Sequence, residues 1–187
     1  MHEIIRTDRT VLRPLAESDA DDFARLANQW DICRMTGSFP YPFDAMSVAG
    51  RVEIYLARAA TGTAIHWAVT VRGEFIGAIG LYRTDEGWDM GYWIGEPWWG
   101  RGFASEVVTA VTHHVFQHHP ASALSACVFT DNPASAHVLR KVGFRQSETV
   151  CKGYSLARRG AMDNWTFACT PTDVAARQDP ATLQTAH

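Results

Sequence analysis

The sequence predicts an α+β fold in one domain, a mixed sheet flanked by helices, and three observations carry that expectation. Residues 90–94 are rich in aromatics and bounded by Gly87 and the Gly95-Glu96-Pro97 turn, as a strand should be. From Phe103 the period changes, with Val107, Ala110, Val111 and Val115 following at helical spacing. Arg72-Gly73 joins two further strand-like runs as a tight hairpin. Read end to end, the order is β-α-α-β-β-β-α-β-α-β-β. The chain of 187 residues is 47% apolar, long enough for one real core. Residues 1–170 are expected to form the domain and residues 171–187 a polar, flexible tail.

Each element has a local reason. Residues 10–15 read as the first strand, alternating Val11 and Arg13 against Leu12 and Pro14. Ser18 and Asp19 offer an N-cap to a short helix marked by Phe23, Leu26, Ala27 and Trp30. Gly37-Ser-Phe-Pro-Tyr-Pro is a proline-punctuated loop. A second helix spans residues 44–60, with Met46, Ala49, Ile54, Tyr55 and Ala57 loosely periodic. Strands at 64–71 and 74–82 follow, and Gly77 and Gly80 predict a bulge or a close backbone approach. After the central strand and its helix, residues 123–130 form a fifth strand. Asp131 and Asn132 with Pro133 start another helix, which Gly143 stops. Residues 144–150 and 163–169 read as a closing antiparallel pair, and beyond Pro171 the polar chain is expected to fray.

Composition narrows the function classes. A net charge of −3 provides no basic field for nucleic acid or an anionic membrane, so neither is an expected partner. Cys33, Cys127, Cys151 and Cys169 are scattered without a C-x-x-C, which fits buried thiols in a reducing cytosol. No apolar segment follows Met1-His-Glu-Ile-Ile-Arg, and no run approaches membrane-spanning length. A cytoplasmic protein is expected, with a homodimer left open.

Gly100-Arg101-Gly102 lies between the central strand and its helix. A glycine-bearing loop running straight into a helix aims backbone N–H groups and a positive dipole end at one point, which suits a phosphate. Three readings compete. Gly95-x-x-x-x-Gly100-Arg101-Gly102 nearly matches a nucleotide phosphate loop, but Arg101 and Gly102 replace its Lys and Ser/Thr. A dinucleotide fingerprint would need glycine where Ser105 stands. An ordinary strand-to-helix turn also uses glycine. The loop alone does not choose among them.

A second motif adds what the loop lacks. Gly-Tyr-Trp-Ile-x-x-x-x-Trp-Gly-Arg-Gly-Phe-Ala-Ser-Glu is followed by Asn132-Pro-Ala-Ser135-Ala-His-Val-Leu-Arg-Lys-Val-Gly143-Phe144. In that order the pair resembles the GNAT superfamily of acyl-CoA-dependent N-acyltransferases, and within it the RimJ/RimL-type ribosomal-protein N-terminal acetyltransferases. Similarity extends from Thr10 to about Phe167. It implies a GNAT fold with a mostly antiparallel sheet, and acetyl-CoA seated where two central strands splay. The reaction implied is N-acetylation of a primary amine by direct attack in a ternary complex, with a protein N-terminal α-amine the expected acceptor. A small-molecule amine is the alternative, as is a CoA-binding module without catalysis.

The resemblance also assigns roles. Backbone N–H groups of Trp99, Gly100, Arg101, Gly102, Phe103 and Ala104 would hold the pyrophosphate, with Trp99 standing where the family carries Gln or Arg. Trp93 and Ile94 would pair with the pantetheine amides, and the Ile94 N–H would steady the thioester carbonyl. Asn132 would bind CoA while capping its helix. Leu139 occupies the position of a frequent tyrosine acid, so Ser135 becomes the candidate partner of the departing thiolate. Asp89 and His66 are the candidate bases, each also readable as structural. Phe39, Tyr41 and Phe43 could shape the acceptor site, or simply pack. Glu106, in the first turn of the central helix, is explained by the helix dipole. His114 and His118 share a helix face beside His113 and His119, but nothing nearby completes a metal set, so no metal is expected.

Overall fold

The computed structural model describes residues 3–119 and 123–178. Its strands are β1 (Ile5–Arg6), β2 (Val11–Pro14), β3 (Ala64–Val71), β4 (Glu74–Thr84), β5 (Gly87–Ile94), β6 (Ala123–Phe129), β7 (Arg145–Ser155) and β8 (Gly160–Cys169). They form one sheet in the order β1-β2-β3-β4-β5-β6-β8-β7. Neighbours run antiparallel except β5 and β6, which are parallel. This is the mixed, mostly antiparallel α+β architecture expected.

Two apolar layers sandwich the sheet. Helices α1 (Ala20–Ala27), α2 (Trp30–Cys33) and α3 (Ala45–Ala60) bury Phe23, Leu26, Ile32, Val48 and Val52 on one face. On the other, α4 (Phe103–His118) and α5 (Pro133–Val142) bury Val107, Val111, Ala136 and Leu139. Strand alternation sorts β5 between them. Met90 and Ile94 join the α4/α5 cluster, while Trp93 packs 4.8 Å from Phe23 in the other.

The hairpin at Arg72-Gly73 takes positive φ at both residues, 52° and 87°, as the two-residue turn requires. Both readings of the β4 glycines hold. The β3–β4 register shifts beside Gly77, between Val69 and Thr70. A Cβ on Gly80 would lie 2.6 Å from His66 Cδ2, so the bare backbone makes room for that ring.

Several expectations need correction. A short strand, β1, precedes the expected first one and pairs with it. Asp19 does not cap α1 with its side chain; its carboxylate accepts from the Ala16 N–H and from the Arg13 guanidinium instead. The helix carrying Phe23 stops at Ala27, and Trp30 starts α2. The inner stripe of α3 is Val48, Val52 and Tyr55, leaving Met46 85% exposed. The closing hairpin is longer than read, and the chain beyond Pro171 begins with helix α6 (Pro171–Gln178), whose Val174 touches the core. The rest of the expected tail, residues 179–187, lies outside the described residues. All four cysteines are free, and Cys127 is exposed rather than buried. Among the described residues, no helix is long and apolar enough to cross a membrane.

Candidate active site

The site begins where the sheet comes apart. β5 and β6 pair at Gly87↔Ala123, Trp88↔Leu124 and Asp89↔Ser125, then diverge. Ladder alternation determines what faces the gap. The Gly95 N–H donates to the Ile76 carbonyl, which puts the Trp93 peptide groups on β4 and turns those of Tyr92 and Ile94 away from it. Trp93 thus differs from the expectation: its main chain serves the sheet, and Tyr92 joins Ile94 in facing the opening.

The Gly100-Arg101-Gly102 loop lies just beyond the end of β5. Gly102 adopts φ 80° at the N-cap of α4, a conformation that resists side chains. Without a capping side chain, the first N–H groups of α4 have no intrahelical acceptor, and the ladder starts with Glu106 donating to Gly102. Arg9, which sequence reasoning missed, braces the loop. It donates to the Arg101 carbonyl (2.9 Å), lies over the Phe103 ring and pairs with Glu106. Burial would raise the Glu106 carboxyl, but hydrogen bonds from Thr7 and Arg9, with the Arg9 charge, hold it below the ordinary carboxylate value. Glu106 therefore does more than balance a dipole; it ties the segment between β1 and β2 to α4.

A cavity of about 830 Å³ opens at this helix start. Its lining includes Trp93, Ile94, Trp99, Gly100, Gly102, Phe103, Ala104, Asn132 and Ser135, every expected cofactor contact except Arg101. The Arg101 side chain lies over Phe103 instead. The Trp99 indole N–H donates to the Ile94 carbonyl at 2.6 Å, so this ring secures the strand end while walling the cavity. Arg34 and Lys141 also line the cavity, with Arg34 paired to Asp31 and Asp131 of the same lining.

A second cavity, about 440 Å³, shares Met35, Thr36, Tyr92, Trp93, Asn132 and Ser135 with the first. At this junction the Tyr92 hydroxyl and Ser135 Oγ lie 2.8 Å apart, and Asn132 Oδ1 accepts the Ser135 N–H. Burial pushes the Tyr92 phenol up to about 12, with the Ser135 contact pulling it down in part. Tyr92 escaped notice because a tyrosine in an aromatic strand reads as packing. Leu139, fully buried, also lines this second cavity.

The two candidate bases separate. His66 lines the second cavity, stacked 4.0 Å from Tyr55 and edge-on to Tyr82. Asp89 lines neither; it sits at the fork of the sheet, receiving the Ser125 hydroxyl at 2.9 Å. Burial raises the Asp89 carboxyl and the Ser125 bond lowers it, for a net upward shift. Of the loop aromatics, Phe39 lines the second cavity, Phe43 packs inside, and exposed Tyr41 lies against Trp30. The histidine cluster gains a carboxylate that spacing did not reveal, since Glu3 lies 3.7 Å from His114 beside His118. That group lines neither cavity.

Comparison with known proteins agrees with this geometry. A family model described as an acetyltransferase (GNAT) domain matches residues 9–145. The uncharacterized N-acetyltransferase YoaA of Bacillus subtilis (strain 168) is 31% identical over 159 residues, covering 82% of this chain and 89% of YoaA. RimL, the ribosomal L7/L12 alpha-N-protein acetyltransferase solved with coenzyme A, has a TM-score of 0.81 at 20% identity, over 92% of this chain and 99% of that one. Mycobacterium smegmatis RimJ has a TM-score of 0.80 at 23% identity, over 92% and 88%. At these identities, the two structural likenesses speak for the fold.

Proposed function

Because this chain belongs to the GNAT acetyltransferase family, and is thus an N-acetyltransferase drawing on acetyl-CoA, we propose that its acceptor is a primary α-amine at a protein N-terminus. One observation carries the reading: two cavities, one at a bare helix start and one without a carboxylate in its lining, meet at Tyr92 and Ser135. The absence of carboxylates disfavours a polyamine. A neutral α-amine is available near neutral pH because its pKa is about 7.7–8.0, whereas lysine at ~10.4 needs a strong base.

In this proposal the first N–H groups of α4 grip the diphosphate, and Gly102 lets the main chain approach. Peptide groups of Tyr92 and Ile94 run along the pantetheine arm, with the Ile94 N–H steadying the carbonyl oxygen as it gains charge. Asn132 orients Ser135 through its backbone N–H. The Ser135 hydroxyl, held by Tyr92, donates to the departing thiolate. That thiolate leaves readily, since an ordinary thiol has a pKa of ~8.5. His66 is the group in the acceptor cavity suited to take the proton shed by the amine. A cytoplasmic setting belongs to the same reading, supported by four free cysteines.

The test is mass spectrometry of products after incubation with acetyl-CoA and a mixture of N-terminal peptides and small amines. Acetylation confined to peptide α-amines is the expected outcome. Transfer to lysine side chains or polyamines in preference would refute the acceptor assignment.

A further inference from the structure

The acceptor cavity has a charge of its own. Arg51, Tyr55 and Arg58 fall at i, i+4 and i+7 along α3 and all line it, with Tyr55 buried, Arg51 half-buried and Arg58 exposed. Among the described residues, no Asp or Glu lines the cavity. Several other arginines are ion-paired: Arg9 with Glu106, Arg13 with Asp19, Arg34 with Asp31, and Arg158 with Asp131. Neither Arg51 nor Arg58 has such a partner among the described residues. Arg51 donates once, to the Ser38 carbonyl at 2.7 Å, and its guanidinium lies 5.9 Å from the Tyr55 ring centroid. Those contacts orient the planar fork without neutralising it, and most of its N–H donors are left for another molecule.

We propose that the acceptor carries a carboxylate close to its reacting amine, and that Arg51 and Arg58 bind it. The inference rests on the proposed function, because it takes the second cavity as the amine site. It narrows the acceptor to a peptide with an acidic residue near its N-terminus. Two guanidinium groups favour a carboxylate by charge-assisted, often bidentate bonds, and they repel a second cation. Arg51 is half-buried, which strengthens its share of that preference, while exposed Arg58 adds a screened charge.

The experiment compares the wild type with Arg51→Gln, Arg58→Gln and the double variant, and with Arg51→Lys, which keeps the charge and loses the fork. Initial rates are measured for the amidated tripeptides Ala-Asp-Ala and Ala-Asn-Ala. The expected result is a preference for the acid over its neutral isostere of about tenfold or more in kcat/KM, as for a bond to a charged group. The ratio should fall towards unity in the double variant. Equal rates on acid and isostere in the wild type, or an unchanged preference in the double variant, would overturn the proposal.

A binding arm keeps this separate from the reaction itself. Calorimetry with coenzyme A present measures the N-acetylated forms of the two tripeptides, which cannot react. Tighter binding of the acid form, lost in the double variant, supports the arginine site even if no amine is turned over, an outcome that would sink the proposed function alone. Turnover of peptides with no arginine-dependent binding of the acid form would sink the carboxylate site and leave the reaction standing. Melting temperature and coenzyme A binding of each variant establish that it has folded.

Discussion

Replacing Gly102 by valine separates the two things this residue does. Its φ of 80° is one that a β-branched side chain adopts only at a penalty of roughly 1–2 kcal/mol. An added Cβ meets no backbone, its nearest neighbour being Arg9 Nη2 at 3.5 Å, so little further strain is expected inside the protein. For a chain of this size that is a fall in Tm of about 2–8 °C. The larger effect lies outside the protein, where the new side chain stands between the α4 amides and a diphosphate. Losing one hydrogen bond to a charged group removes about 1.5–3 kcal/mol, roughly a ten- to 150-fold rise in the KM for acetyl-CoA. The assay pairs acetyl-CoA with acetyl-pantetheine, which has the same thioester and no diphosphate. KM should rise for the first and stay level for the second. An unchanged acetyl-CoA KM, or an equal rise for both donors, would refute the placement of the diphosphate at this helix.

Three further outcomes follow from the same geometry. Ser135→Ala should lower kcat by about ten- to a hundredfold while leaving acetyl-CoA affinity nearly intact, with Tyr92→Phe weaker in the same direction; parallel losses in both parameters would make Ser135 a binding residue. Asp89→Asn should keep most of the turnover, since Asp89 lines neither cavity. Its raised carboxyl means the ionised form is disfavoured in the fold, so the Asn variant should melt higher at pH 7. That gain should shrink as pH falls through the raised pKa towards ~3.9, where both states are protonated, and a pH-independent difference in calorimetric Tm would contradict the assignment. Arg158 bonds both Asp131 oxygens, at 2.9 and 3.2 Å, and the Arg34 carbonyl. Arg158→Ala should therefore cost about 1–3 kcal/mol in chemical denaturation, and a change within about 0.5 kcal/mol would show the clasp to be idle.

What could be read from the chain was local. Asn132-Pro133 starts α5 and Gly143 ends it at φ 118°, because caps depend on neighbours a few residues away. Arg72-Gly73 dictates its turn for the same reason. The stripe of α3 is hard to read because part of the helix lines a cavity, so half-buried Arg51 sits where a core helix would carry leucine. β7 was cut short because it is an edge strand exposed for most of its length, where Lys152, Gly153 and Tyr154 look like a loop. The bracing of Arg9 on Glu106 spans 97 residues, and no spacing rule reaches that far. Tyr92 reads as packing in the sequence, because its contact with Ser135 depends on α5 arriving beside β5 after the sheet has divided.

The division of the sheet has a consequence for how such an enzyme can change. Where β5 leaves β6, the proposed donor surface is largely main chain, which substitution cannot delete and only added bulk can obstruct. The opposite chamber is written in side chains, from Arg51 to His66, each replaceable one at a time. An ancestral line could retire one customer and adopt another by editing α3 and β3 while the currency it spends stays the same.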